Sequence, residues 1–342
     1  MIWLKDTGEN RKYRKIQLQV EKPMYCAYNT QGAASGAIAA NPSIKNWYYN
    51  NAIMLVCGRK FLDGYTSPQI NIRNTSIFSN PCFEKKWIGT KYLGSRVHYV
   101  IRAILDDGWF IYFAGLDDYY IKGKSWYHER HELHDGTICG YDQEDKTYSV
   151  LAYDQNWIFR VFKAPQRCFE TARKKALTRN SFKMICIYKP IKDEIELSIE
   201  TICEHLKEYL NSSLEKYPPD VYETASGTVV HDYIATYLDK LLDESIPYSR
   251  MDRRVFRVLW EHKACMCERL RAAEDKLGLG HSFSSKYEQV VKEADNARML
   301  YASHHMRRRD SLLPIIKSKV LRIKELEEVI LKEFLDKVCE VK

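Results

Sequence analysis

Two textures of hydrophobic patterning divide the chain. Up to about residue 190 the apolar runs are short and set apart by turn residues: "GWFIYFAGL", "GTICGY", "TYSVLAY", "WIFRVFKA" and "FKMICIYKP". Runs of about four to eight residues rich in β-branched and aromatic side chains, bounded by Gly, Asn, Asp and Pro, predict strands. "SRVHYVIRAIL" instead predicts a helix, and "YDQEDKT" a hairpin loop between two of the strands. From about residue 195 the period lengthens. Ile195, Ile199, Ile202, Leu206 and Leu210 recur at helical spacing, as do Val230, Ile234, Tyr237 and Leu241. A third run carries Val255, Leu259, Leu270, Ala273 and Leu277 and stops at "GLG"; a fourth carries Val320, Ile323, Leu326, Ile330 and Phe334. "KYPPD" and "HSFSS" read as breaks between helices. The expected fold class is α+β: a mixed domain over residues 1–190, then an all-α helical domain over 191–342, with the boundary near Pro190 to Asp193. There is no internal repeat and no low-complexity tract.

Composition narrows the class. A chain of 342 residues, 45% hydrophobic and 29% charged, is long enough for two globular domains. No stretch approaches the roughly 20 apolar residues of a membrane span, so no membrane association is expected. The opening "MIWLKDTGENRKYRKIQ" lacks the apolar core of a signal peptide. Ten cysteines without an export signal predict reduced thiols and a cytoplasmic protein. No CxxC pair is present, and Cys265-Met-Cys267 lies in a helical pattern, where flanking side chains diverge. The net charge of +8 favours acidic partners. "RRR" at 307–309 comes with no nucleic-acid-binding motif, so no nucleic-acid partner is expected.

The chemistry concentrates in two stretches. "HERHELHDGTICGYD" places His128, His131 and His134 three residues apart. On a helix the first and third point about 240° apart, and on a strand consecutive members face opposite sides. A metal cage would need an irregular loop, and the HExxH zinc spacing is absent. His134 alone, just before a predicted strand, has the position of a general base whose tautomer a carboxylate on the next strand fixes; Asp154 ends that strand. The plain alternative is a loop histidine and a turn aspartate. The second stretch is "EKPMYCAYNTQGAASGAIAANPSIKNWYY". Cys26 precedes small residues that predict a short helix packed closely on a sheet. A helix N-terminus would favour its thiolate. Equally, Cys26 reads as a small buried hydrophobe. Cys82 in "FSNPCFEKK" is the rival nucleophile; Cys57, Cys139 and Cys186 look like core or strand interior.

Taken in order, Cys26, "HYVIRAILDDGWFIYFAGLDDYYI" with its D-x-Y-Y, and "HELHDGTICGYDQEDKTYSVLAYD" with His-x5-Gly-Tyr-Asp resemble the butirosin biosynthesis protein H family. The N-terminal domain of that family is a papain-like, C39-type relative. The resemblance covers roughly residues 20–190 and is weaker over the helical remainder, including "VFRVLWEHKACMCERL". It implies a papain-like domain and an acyltransferase of bacterial nonribosomal peptide and polyketide pathways. Such an enzyme takes an acyl group from a carrier-protein thioester and passes it to an amine. Carried over, Cys26 is the nucleophile, His134 the general base and Asp154 its orienter. No cofactor is implied beyond the phosphopantetheine that the carrier-protein partner brings. A papain-like enzyme usually places an oxyanion-hole glutamine about six residues before the cysteine; Val20 stands there, and Gln19 is the nearest candidate. A peptidase or amidase, or an inactive papain-like binding module, are the alternative readings. For the carrier, which presents an acidic helix, Arg307, Arg308 and Arg309 are the expected docking site, with Arg173, Lys174, Lys175 and Arg179 as a second basic cluster.

Overall fold

The structure, a computed structural model, describes residues 15–65, 69–178, 183–212 and 223–341. Residues 1–14 of the opening segment, "KYPPD" and Arg179 lie outside the described residues. In chain order the strands are β1 (Lys15–Gln17), β2 (Leu55–Gly58), β3 (Ile70–Ile72), β4 (Phe83–Gly89), β5 (Phe110–Asp117), β6 (Leu133–Asp142), β7 (Thr147–Tyr153), β8 (Phe159–Pro165), β9 (Met184–Pro190) and β10 (Glu223–Ser226). The helices are α1 (Asn29–Gly36), α2 (Ile44–Asn51), α3 (Val97–Asp106), α4 (Gln166–Thr178), α5 (Ile199–Asn211), α6 (Val230–Leu242), α7 (Val255–Leu277), α8 (Ser282–Arg307) and α9 (Leu313–Val341). The fold class is α+β with a helical C-terminal region. No described helix is long and apolar enough to cross a membrane.

Two compact units form. One comprises Met1–Ile44 and Ser76–Glu194, the other Lys45–Thr75 and Ile195–Lys342. Residues 45–75, expected within the first domain, therefore group with the second.

In the first unit a seven-stranded antiparallel sheet has the order β4-β9-β5-β6-β7-β8, and β1 pairs with the far end of β6. Side chains alternate across it. Ile111 and Phe113 of β5, with Ile185 and Ile187 of β9, join Val97, Ile101 and Leu105 of α3 and Phe169, Ala172 and Ala176 of α4 in one core. The opposite face receives α1. The Tyr188 hydroxyl donates to the Ala33 carbonyl at 3.0 Å. A Cβ on Gly32 would come 2.2 Å from the Phe159 ring. The run of small residues is thus what lets α1 lie close to the sheet. β4 forms the sheet edge, and its Lys85 and Lys86 suit a strand exposed on one side.

The second unit is not all-α, as its pattern predicts. β10, β2 and β3 form a separate three-stranded antiparallel sheet. α7, α8 and α9 pack in succession, with α6 against α9. α7 ends at Gly278 in the left-handed conformation, as the "GLG" signal predicts. Glu274 near that end is buried and accepts the Phe283 and Ser284 amides at 2.6 and 3.0 Å, so it caps the start of α8.

Candidate active site

β5 ends at Asp117 and Asp118 follows it directly; Asp117 engages His131, just before β6, and Asp118 engages His134, the second residue of β6. The antiparallel register sets Leu116 against His134 and Asp117 against Leu133. Beyond it a short 3₁₀ turn, Asp118–Tyr120, swings Asp118 alongside the start of β6. His134 Nδ1 lies 2.6 Å from Asp118 Oδ2. The carboxylate only accepts, so Nδ1 carries the proton and neutral His134 keeps Nε2 as an acceptor. Asp118 is buried, while the His134 side chain is 34% exposed. A base reached from solvent and oriented from inside the protein has this arrangement.

The carboxylate hydrogen-bonded to His134 is therefore Asp118 and not Asp154. Asp154 Oδ1 accepts the Asn156 and Ile158 amides at 2.8 and 3.0 Å, and Oδ2 takes the Arg160 guanidinium at 2.5 Å. Burial raises its pKa, but these backbone amides and Arg160 outweigh it and hold the carboxyl below its ordinary value. Asp154 closes its own β7–β8 turn and has no valence left for an imidazole.

The other histidines go elsewhere. His131 Nδ1 meets Asp117 Oδ2 at 2.7 Å, and its ring stacks on Tyr119 with centroids 4.3 Å apart. His128 sits at φ +59° and stacks on Tyr127 at 4.0 Å. Two histidines bound to two different carboxylates, and a third on a tyrosine ring, do not converge on one point.

Cys26 is buried, and its position departs from the expected helix N-terminus. α1 begins at Asn29 with Tyr28 as its N-cap, so Cys26 precedes the helix rather than opening it. Ser35, in the last turn of α1, donates to the Tyr25 carbonyl at 2.7 Å. Tyr25 to Tyr28 therefore runs back along α1, and the helix-dipole argument for a lowered thiol pKa loses its geometry. Two contacts fasten this segment over the β6–β7 pair. Tyr153, the last residue of β7, donates its hydroxyl to the Cys26 carbonyl at 2.6 Å. Asn29 donates its side-chain amide to Asp135 Oδ1 at 2.5 Å. Asp135 follows His134 directly, so the Cys26 segment and the His134–Asp118 pair are fastened to adjoining parts of the same strands. The Tyr112 hydroxyl donates to the other Asp135 oxygen. Burial first, then the Asp135 charge, keeps that phenol above its ordinary pKa and so protonated.

Burial makes five other thiols poor nucleophiles. Burial pushes Cys82 up to about 12 and Cys139, Cys186 and Cys267 up to about 11, and raises Cys57 as well. The rival Cys82 is held by its own amide, which donates to Asn80 Oδ1 at 2.8 Å. Gln19 is exposed just past β1, and no contact among the described residues ties it to the site. The oxyanion role is left without structural support there.

Gly140, the glycine of His-x5-Gly-Tyr-Asp, has a packing reason. A Cβ there would lie 2.5 Å from the Ile16 carbonyl of β1. β6 shifts register between Ile138 and Gly140, where β1 joins its edge. Asp118, Tyr112, Asn29 and Lys124 are the site residues that sequence reasoning missed. A usable signal existed: consecutive aspartates at a strand end, and histidines at the start of the strand that returns beside it.

Comparison with protein-family models finds no match, and comparison with curated proteins finds none either.

Proposed function

We propose that the chain is a cysteine-dependent acyltransferase, with Cys26 as nucleophile, His134 as general base and Asp118 as the group that orients His134. The observation that carries the reading is the half-open His134 imidazole hydrogen-bonded at Nδ1 to buried Asp118. The fastening of the Cys26 segment to β6 and β7 supports it. The papain-like fold and the family resemblance belong to the same proposal.

The chemistry runs in two exchanges. Neutral His134 takes the Cys26 thiol proton at Nε2, and the thiolate attacks the carbonyl carbon of a carrier-bound thioester; a new S–C bond forms, the carrier's C–S bond breaks, and the departing pantetheine thiolate takes that proton from His134. An incoming amine then attacks the acyl-cysteine. Its proton passes to Nε2 of His134, the C–S bond breaks, and Cys26 departs as thiolate and takes that proton from His134, so both groups return to their starting state. The first exchange trades one thioester for another and is nearly thermoneutral. The second forms an amide and drives the sequence forward. No bound cofactor is required, since the carrier brings the pantetheine arm.

Intact-protein mass after mixing with acyl-carrier and small acyl-thiol thioesters tests this. The expected result is a gain equal to the acyl group, mapped to Cys26 and absent in Cys26→Ala. Acylation that survives Cys26→Ala but disappears in Cys82→Ala would reassign the nucleophile. Cleavage of peptides without acylation by any thioester would favour a peptidase.

A further inference from the structure

The site contains a buried cation that the two exchanges leave without a role. Lys124 is 2% exposed. Its Nζ stands 3.5 Å from Asp118 Oδ1 and donates to the Asp135 carbonyl at 3.1 Å. The loop bearing it is fixed on both sides. Gly123 has φ +101°, and a Cβ there would come 2.6 Å from the Phe162 ring. The Gln155 amide donates to the Gly123 carbonyl at 2.8 Å, and Ser125 Oγ to the Asp154 carbonyl at 2.7 Å. Asp118 is thus shared, one oxygen to His134 and the other to Lys124.

We propose that Lys124 is a positioning residue: by sharing the Asp118 carboxylate, it keeps His134 neutral, with the proton on Nδ1 and Nε2 open to accept. This rests on the reading of His134 as the base. A buried carboxylate hydrogen-bonded to an imidazole, left alone, favours the imidazolium, which has no lone pair to offer. A lysine on the same carboxylate offsets that pull. Of the other charged groups nearby, two are paired with a partner side chain, while Asp135 keeps its charge and is held by neutral donors. Asp117 holds His131, Asp135 is held by Asn29 and Tyr112, and Asp154 holds Arg160.

The test is an NMR titration of His134, assigned with His134→Gln, alongside the pH profile of kcat/KM with a small thioester. Lys124→Met removes the cation and is expected to raise the His134 midpoint, moving the acid limb of the profile upward with it. Asp118→Asn removes the anion, leaves Lys124 unopposed and is expected to lower the midpoint. Lys124→Arg, which keeps the charge, is expected to stay near wild type. A merely structural lysine would not give shifts of opposite sign. An unchanged midpoint in Lys124→Met, or shifts of the same sign in both variants, overturns the assignment. Should Lys124→Met not fold, Asp118→Asn decides: a midpoint that fails to fall overturns it. Opposite shifts in a wild-type chain that accepts no acyl group would uphold the lysine's hold on the His134 proton and reject acyl transfer.

Discussion

At the scale of residues, two histidine–aspartate pairs lie side by side, and the proposed chemistry uses only that of His134. His131 is stacked on Tyr119 and bonded to Asp117, so turning it toward a substrate would give up both contacts. Among the described residues no ring stacks on His134, which makes its Nδ1 bond and is followed directly by Asp135, gripped by Asn29 three residues after Cys26. Replacing His134 by Ala is therefore expected to slow transfer by roughly 10²–10⁴-fold, with a much smaller effect for His131→Ala. Asp118→Asn should slow turnover with the chain still folded. Asp154→Asn should instead lower the melting temperature with little change in kcat, because its oxygens serve amides two and four residues on and Arg160. Melting curves and steady-state rates on the four variants separate these outcomes. If Asp154→Asn lost turnover at unchanged stability, the assignment of Asp118 would fail. The local nature of those turn bonds was legible, since an aspartate before Gln-Asn-Trp is apt to bond its own backbone. The Asp118 contact was not, because it depends on how a 3₁₀ turn aims one side chain after the strand has ended.

At the scale of elements, patterning identified the pieces whose cores are strongly apolar and missed those whose packing is small or polar. The helix at 97–106, the strands from β5 to β9 and the seams of α5, α6, α7 and α9 follow the expected periods. α8 was not picked out because its buried face is Phe283, Ser284, Tyr287, Val290, Ala294, Ala297, Tyr301 and His304, only part of which is hydrophobic. The three-stranded sheet escaped because β10 joins β2 from more than a hundred residues away, and local pattern carries no such pairing. Another feature hidden from periodicity is the polar centre of the second unit, where five helices meet on one carboxylate. Glu327 of α9 accepts Lys263 of α7 at 2.7 Å, Tyr209 of α5 at 2.8 Å and Tyr287 of α8 at 2.7 Å, and stands 3.3 Å from His231 of α6. Removing one partner strands the other charge in the interior, so Lys263→Met should lower stability by about 3–5 kcal/mol in denaturant titration. The pH dependence follows from the shifts. Burial, then the Lys263 charge, lowers His231 from 6.5 to about 4, so unfolding takes up a proton between those values. Stability is full above pH 6.5 and falls as the pH drops toward 4. Against its burial, Lys263 and the histidines hold Glu327 at about 2, and its contribution is lost below pH 4.5. His231→Gln should reduce the slope of stability against pH between 6.5 and 4; an unchanged slope would remove His231 from this account.

At the scale of the whole molecule, the excess of eight positive charges bears on how a carrier would be received. The two basic clusters expected from the sequence differ once their side chains are placed. Arg173 is buried on Glu170 through two 2.8 Å hydrogen bonds and is spent within α4, whereas Lys174, 3.6 Å from the same carboxylate, and Lys175 stay exposed. Arg307, Arg308 and Arg309 stand exposed where α8 gives way to α9. Arg308, at φ +47°, lays its guanidinium 4.4 Å from the Tyr248 ring centroid. Arg307 and Arg309 are therefore the pair to change, since reversing Arg308 would also remove a packing contact. Opposite charges steer encounter and are screened within about 8–10 Å at physiological salt. If these arginines receive an acidic carrier, transfer from a carrier-bound donor should slow as salt rises, and transfer from a small uncharged thioester should not. Arg307→Glu with Arg309→Glu should reduce kcat/KM for the carrier donor and spare the small one. Stopped-flow acylation of Cys26 with each donor reads both effects. Equal salt sensitivity for the two donors, together with no response to the double change, would leave the arginines as solvated surface and put the carrier's docking face elsewhere.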